Sequence, residues 1–358
     1  CWCQYVLPVD LGYVVTDTEL INLVSCGLLK YHTRSQAVTL TSKGRNLLQS
    51  TVIAALPSLT KSYHDTAIQR RLRQSILALT AYHSGINIFT TQPEQLCASQ
   101  SLFLSALTRD RGTNPWGNSR IAALAHIGDM AYAIYCIYPD VGKLVLIDEL
   151  TAFANQTAQI SNISRAVIFA GESYTDILTE LEVSGDADTK LIRYGDAYRS
   201  LQLPVHLLSC DDTGAVQLQI MSAPDYRRKL TQAALKGQYQ PPPEDAPPWD
   251  AIFQGLPFVM AADMDLRRVD AAVRLARGRG IRQTAIAALR GQAETVLFLR
   301  YRDTGLARVF ILTDEAVSEV TGRPPVPYVP PRTQFVTPKG DVVDAPPIQA
   351  AGKAGGRR

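Results

Sequence analysis

The chain has 358 residues, with 36 Lys and Arg against 33 Asp and Glu, a net charge of +3, and 46% hydrophobic and 19% charged residues. That leaves room for two or three domains with cores of their own and excludes wholesale disorder. With charge so nearly balanced, any contact with nucleic acid has to come from local clusters. No apolar run approaches the roughly 18 residues of a membrane span, and no charged segment precedes an apolar core at the start, so a cytoplasmic protein without a membrane partner is expected. The cysteines at positions 1, 3, 26, 97, 136 and 210 lack paired zinc spacing, so free, mostly buried thiols are expected.

Residues 16–30 predict a helix: Thr16-Asp17 offers an N-cap, Leu20, Ile21, Leu23, Val24 and Leu28 recur at helical spacing, and Gly27 suits a left-handed exit. The stretch 29–40 then alternates apolar and polar residues around Ala37-Val38-Thr39-Leu40, as a hairpin does, with Lys30, His32, Arg34 and Gln36 toward its tip and Lys43 just beyond it. A further helix is predicted over 43–56, ending near Pro57.

Gly27-Leu28-Leu29 followed by Leu40-Thr41-Ser42-Lys43-Gly44 and Leu47-Leu48 resembles the closing half of a winged helix-turn-helix domain. The resemblance covers about residues 12–52. It implies that the helix over 16–30 enters the major groove of double-stranded DNA while the hairpin touches the adjacent backbone, with Thr16, Thr18, Asn22, Arg34, Gln36 and Lys43 as the positions able to reach DNA. The family's module carries about two more helices upstream than the segment 1–13 supplies, so the resemblance also implies an N-terminally truncated module.

Farther along, 63–83 predicts an amphipathic helix with Ile68, Leu72, Ile76, Leu79 and His83 on one stripe and Arg70, Arg71 and Arg73 elsewhere, a basic flank that could add DNA contacts. A short strand is predicted over 87–89, and strands over 131–138 and 143–147, joined by Pro139-Asp140-Val141-Gly142, read as a hairpin. Alternating elements follow: helix 155–164, strand 166–170, helix 174–182, strand 205–210 with Asp211-Asp212-Thr213-Gly214 as its loop, and helix 224–235. The Pro-rich tract 240–248 reads as an extended linker. Beyond it, strand 257–262, helix 266–277, strand 283–288, helix 292–302 and strand 307–312 form a βαβαβ unit, either separate or completing the upstream sheet, and the Pro- and Gly-rich tail after Gly322 is expected to be disordered.

Chemistry-bearing patterns are sparse. Asp140, Asp148 and Glu149 could gather on the predicted hairpin as carboxylates of a Mg²⁺-dependent nuclease with a restriction-endonuclease-like fold, but no Lys follows Glu149 at the required position. No phosphate-binding glycine loop and no nucleophile elbow occur, and Arg277-Gly278-Arg279-Gly280 falls where a helix should end. The histidines at 32, 64, 83, 126 and 206 share no ligand spacing, so no metal or other cofactor and no enzymatic activity are expected. Basic residues do crowd two regions: Arg227, Arg228, Lys229 and Lys236 in one, and Arg267, Arg268, Arg274, Arg277, Arg279, Arg282 and Arg290 in the other.

The chain is thus read as α/β: a partial winged helix (1–56), a connecting basic helix (57–84), a mixed α/β domain (85–238), a linker (239–250), the βαβαβ unit (251–320) and a tail (321–358). This order, with Ser119-Arg120 ahead of the strand 131–138, is similar to the replication-relaxation group of accessory proteins from Gram-positive conjugative elements and plasmids. That likeness implies a bacterial DNA-binding protein assisting a relaxase or replication complex without catalysis of its own. The competing readings are the divergent nuclease and a winged-helix module for protein contacts.

Overall fold

The computed structural model describes residues 3–51, 64–90, 99–105, 120–138, 149, 153, 163–183 and 193–324, with the backbone alone at 13, 51, 334–336 and 342–344. The chain is mixed α/β, and it begins with a small unit built around a hairpin. A 3₁₀ helix, Pro8–Tyr13, leads into α1 (Asp17–Ser25), which opens on a reciprocal capping box: the Glu19 N–H donates to Thr16 Oγ1 (3.3 Å), and the Thr16 N–H donates to Glu19 Oε2 (2.8 Å). Past the helix, Gly27 takes φ 70° and the Leu28 N–H reaches back to the Leu23 carbonyl (2.9 Å), a Schellman closure. Strands β1 (Leu29–His32) and β2 (Ala37–Leu40) then pair antiparallel, from Leu29 opposite Leu40 to His32 opposite Ala37. Val6 bridges Val38 on the other edge of β2, and α2 (Ser42–Thr51) follows. The predicted end of this helix, 52–56, lies outside the described residues.

Helix α3 (Asp65–His83) departs from the stripe expected of it. Of Ile68, Leu72, Ile76, Leu79 and His83 only Leu72 is fully buried, whereas Gln74, Ser75, Leu77, Ala78, Thr80 and Ala81 are sealed as well. The reason is that α3 is packed from two sides. Leu72 joins Tyr5, Leu7 and Ala37, and Leu79 flanks Val6, Leu20 and Val38, while Leu77, Ala78 and Ala81 enter the main core. A helix wedged between two bodies needs small residues on its second face, and a single-stripe pattern misses that face.

The main body holds two sheets. In the first, β3 (Ser101–Leu104), β4 (Ala123–Ile127) and β5 (Met130–Cys136) form an antiparallel meander, and β5, β6 (Ser164–Gly171) and β7 (Val205–Ser209) run parallel. Strand β5 is therefore central, with β4 on one edge and β6 on the other. This corrects the predicted hairpin: 131–138 finds its antiparallel partner upstream, across the Gly128-Asp129 turn, and the predicted partner 143–147 lies outside the described residues. The predicted strand 87–89 reduces to a bridge from Asn87 to Ser101. The helix predicted over 155–164 falls outside the described residues up to 162, and Ser164 already belongs to β6.

Helices α4 (Tyr174–Glu182) and α5 (Tyr194–Ser200) connect β6 to β7. After β7 comes α6 (Asp212–Met221), capped by Asp211, whose carboxylate accepts from the Gly214 N–H (2.9 Å), so the predicted loop 211–214 is a helix start. Helix α7 is Tyr226–Leu235. The second sheet has the order β11-β10-β9-β8, with β8 (Ala251–Phe253) antiparallel to β9 (Leu256–Met260), and β9, β10 (Thr284–Ala288) and β11 (Ala307–Ile311) parallel. Helix α8 (Leu266–Gly278) joins β9 to β10; a short α9 (Arg290–Gln292), running into a π-helix, Ala293–Arg302, joins β10 to β11; α10 (Asp314–Thr321) closes the unit.

The βαβαβ unit keeps its own sheet but shares a core with the first. Val259, Ile286 and Ala288 pack in one cluster with Val167 and Leu207, while their strand neighbours Phe258, Met260, Ala285 and Ala287 point the other way into a second cluster with Val216 and Ile220. The tract 240–248 is not a free spacer: Ala246 and Trp249 are buried, the Trp249 indole donates to the Ala272 carbonyl (3.1 Å), and Arg279 pairs with Asp245 (2.6 Å). Nor is the tail wholly irregular. Within it β12 (Gln334–Val336) and β13 (Val342–Asp344) pair antiparallel, with β12 beside α1 and the 3₁₀ helix. Among the described residues no helix is long and apolar enough to cross a membrane.

Candidate nucleic-acid interface

The Leu-Thr-x-Lys-Gly stretch works as a fastening. Thr41 Oγ1 donates to the carbonyl of Gly27 (2.6 Å) and accepts from the Gly44 N–H (3.0 Å), capping α2 while gripping the exit of α1. Lys43 Nζ donates to the Cys26 carbonyl (2.8 Å), where the negative end of the α1 dipole lies. Gly44 is buried against the Leu28 carbonyl oxygen so closely that a Cβ would overlap it. Lys43, read as a DNA contact, thus already has its amine on α1.

Fastened in this way, α1 presents a polar outer face. Leu20 is buried, and Thr18, Asn22 and Ser25 are exposed. Thr16 is exposed too, with its hydroxyl donating to Glu19 Oε2 (2.8 Å), and those hydrogen bonds from Thr16 keep the Glu19 carboxyl below its ordinary pKa. At the hairpin tip Lys30 and Arg34 are exposed, and Gln36 is exposed with φ 49°. Arg34 forms an ion pair with Asp65 at the start of α3 (2.6 Å), with both side chains largely in solvent. His32 lies within the hairpin, Nε2 2.7 Å from Thr39 Oγ1, its ring tilted against Tyr5.

The three arginines of α3 separate. Arg70 is exposed, Arg71 is half-buried, and Arg73 lies over the Tyr138 ring, 3.4 Å from its centroid. There Arg73 lines a cavity of about 160 Å³ with Cys136, Glu172 and Asp176, away from the α1 face. Over residues 3–51, Lys30, Arg34, Lys43 and Arg45 stand against Asp10, Asp17 and Glu19, so the local charge is only slightly positive. Asp10 weakens that opposition. Its Oδ2 is sealed from solvent without a hydrogen-bond partner, and burial pushes its pKa up to about 7 against the Leu7 backbone donor, with Glu172 adding to the rise.

The carboxylates of the nuclease reading do not assemble among the described residues. Asp140 and Asp148 lie outside them. Glu149 is buried, and its Oε1 accepts from the Arg120 N–H (2.7 Å), holding the chain ahead of β4. Among the described residues no group of three His, Cys, Asp or Glu side chains is placed to hold a metal ion. Cys3, Cys26, Cys136 and Cys210 are free thiols, and Cys26, unlike the rest, is exposed.

One cluster went unread in the sequence. Asp263, fully buried after β9, accepts from the Tyr226 hydroxyl and from Arg227 Nε (2.6 Å each), and its backbone carbonyl receives Gln217 Nε2 and faces His206 Nδ1 (3.0 Å each). Burial opposes ionisation, yet the Arg227 guanidinium, His206, Arg268 and the Tyr226 hydroxyl hold the Asp263 carboxyl well below the usual range. Gln292 continues the network to Gln217 (3.2 Å) and the Ala262 carbonyl (2.9 Å), and the Leu207 N–H donates to the carbonyl of Met264, a residue at φ 52°. The cluster ties β7, α6 and α7 to the end of β9 and so acts as a clamp between the sheets. Its signal was an acid inside the apolar run 258–264. No known protein family, curated protein or solved structure matches the chain.

Proposed function

We propose that this protein is a DNA-binding accessory factor that reads duplex DNA with the outer face of α1 and steadies itself on the backbone with the β1–β2 hairpin. The observation that carries the reading is the division of labour in the N-terminal unit: Thr41 and Gly44 are packed as fastenings and the exposed Lys43 spends a hydrogen bond on the Cys26 carbonyl, whereas Thr18, Asn22 and Ser25 are exposed on one face of α1 and Lys30 and Arg34 are exposed on the hairpin. The chain order supports it as well. A bridge at Val6, a short helix, α1 and a hairpin follow one another as in a winged helix-turn-helix. Asp17 and Glu19 in the first turn of α1 would accept from cytosine amino groups in the major groove, while phosphate contact falls to Lys30, Arg34 and Arg70. The likeness to the replication-relaxation group read from the sequence favours a role at an origin or beside a relaxase, in the cytoplasm of a bacterium carrying the element and without cutting.

Fluorescence anisotropy with labelled duplexes of randomised sequence, titrated with salt, tests this. Three phosphate contacts, one each from Lys30, Arg34 and Arg70, give a log–log salt slope of about −2.7. Asn22→Ala should relax base preference, a bidentate contact being worth about 1–3 kcal/mol of discrimination. A flat salt response, or selection of no sequence by the intact chain, would sink the proposal and leave the unit as a protein-contact module.

A further inference from the structure

A cleft of about 850 Å³ opens between α4, α5 and the start of β7 on one side and α8 with the π-helix on the other. Its walls carry arginines contributed by three separate elements: Arg199 from α5, Arg267, Arg268 and Arg274 from α8, and Arg300 from the π-helix, with Arg268 paired to Asp250 (2.9 Å). The volume lies within the range of small-molecule sites. Three acids line it: Glu182, exposed at the end of α4, and two that are committed. Asp270 holds Arg300 (2.8 Å) and accepts from the Tyr301 hydroxyl (2.7 Å), and Asp265 caps α8 by accepting from the Arg268 N–H (3.1 Å).

Arg267 and Arg274 are the cations left facing the space. Arg267 touches a backbone carbonyl, that of Leu203 (3.3 Å), and lies 5.9 Å over the Tyr198 ring, and Arg274 is exposed with no ion pair among the described residues. They stand seven residues apart on one face of α8, about 10 Å along the axis, and Ala271 between them leaves the floor open. Tyr198, Leu203 and Pro204 supply an apolar wall beside the charges. Guanidinium forks next to an aromatic face match a phosphate joined to a base.

We propose that this cleft binds phosphoryl groups, carried by a free nucleotide or by a single strand of nucleic acid, with Arg267 and Arg274 as their ion partners. It is a second site, made of other elements than the α1 face, and its existence does not require that the α1 face bind duplex DNA.

The test uses the intact chain and a fluorescein-labelled oligothymidylate of about twelve nucleotides, with adenosine 5′-monophosphate and adenosine as competitors. Arg274→Glu and Arg267→Ala should each weaken binding about tenfold or more, with circular dichroism and thermal midpoint of Arg274→Glu unchanged, while Asn22→Ala leaves it intact. Displacement by the monophosphate but not by adenosine assigns the site to nucleotides; resistance to both, with arginine dependence kept, assigns it to a strand. Parental affinity in both arginine variants, loss in Asn22→Ala alone, or no binding of oligonucleotide or monophosphate at millimolar concentration overturns the proposal. Failure of the α1 reading would show instead as lost duplex selection with these results unchanged.

Discussion

Residues 3–51 rest on two small clusters, Tyr5, Leu7, Ala37 and Leu72 in one and Val6, Leu20 and Val38 in the other, and Leu72 is lent by α3. Behind them, two sheets share a continuous core, and their buried polar groups are turned inward onto Asp263. The small unit uses its few polar fastenings at its seams and leaves its polar face outside; the large body does the reverse. Hydrogen-bonding groups left unspent are what a partner could use; the small unit keeps Thr18, Asn22 and Ser25 on α1, and the large body keeps Arg274 at the wall of its cleft.

Asp263→Ala should produce the largest change. It strands Arg227, His206 and Tyr226, and breaking a buried ion pair costs about 3 kcal/mol even with Arg227 partly in solvent, read as a lowered urea midpoint. Because the Asp263 carboxyl titrates below its unfolded value, its contribution is present above about pH 4 and is lost as the pH falls further. Asp263→Asn should therefore flatten the acid limb of a stability–pH curve. If Asp263→Ala melts like the parent, the clamp is not what joins the sheets.

Gly44→Ala sharpens the other side of the comparison. Its methyl group would meet the Leu28 carbonyl, and overpacking of this kind costs about 1–3 kcal/mol. Amide exchange should accelerate in the hairpin and α2 while β5–β7 stay protected; uniform acceleration would show that the two regions unfold as one. Asp10→Asn is expected to act more weakly and with the opposite sign. A carboxyl with a raised folded pKa contributes stability that is full below about pH 4 and is lost as the pH rises through about 7, so the amide should raise the thermal midpoint above neutral pH and make it less pH-dependent. Smallest of all, Arg34→Ala removes an exposed ion pair worth no more than about 0.5 kcal/mol to folding. On DNA the same change should reduce the salt slope by about one.

Much of the fold was legible because its signals are local. The capped helix α1, the β1–β2 hairpin, α4 and the order β9, α8, β10, β11 fall within a few residues of expectation, since turn residues bound each and periodicity separates strand from helix. Strands β3 and β4 were missed because Ser101–Leu104 and Ala123–Ile127 are buried on both faces and do not alternate. Helix α6 was missed for the same reason: Gly214 to Met221 are all buried. At the candidate interface, the exposure of Thr18 and Asn22 follows from helical spacing, but the inward use of Lys43 depends on a carbonyl 17 residues earlier, and the arginine cleft on three elements that only tertiary packing brings together.

The double-sided packing of α3 has a mechanical consequence. Its N-terminal half carries the small unit, its C-terminal half is embedded beside β3, and its far end is latched where Arg323, following α10, donates to the Ser84 carbonyl. The head is thus mounted on a rigid shaft and not hung from a tether. If α1 grips a duplex as proposed, the bearing of that duplex relative to the sheets is set by how the small unit packs on α3.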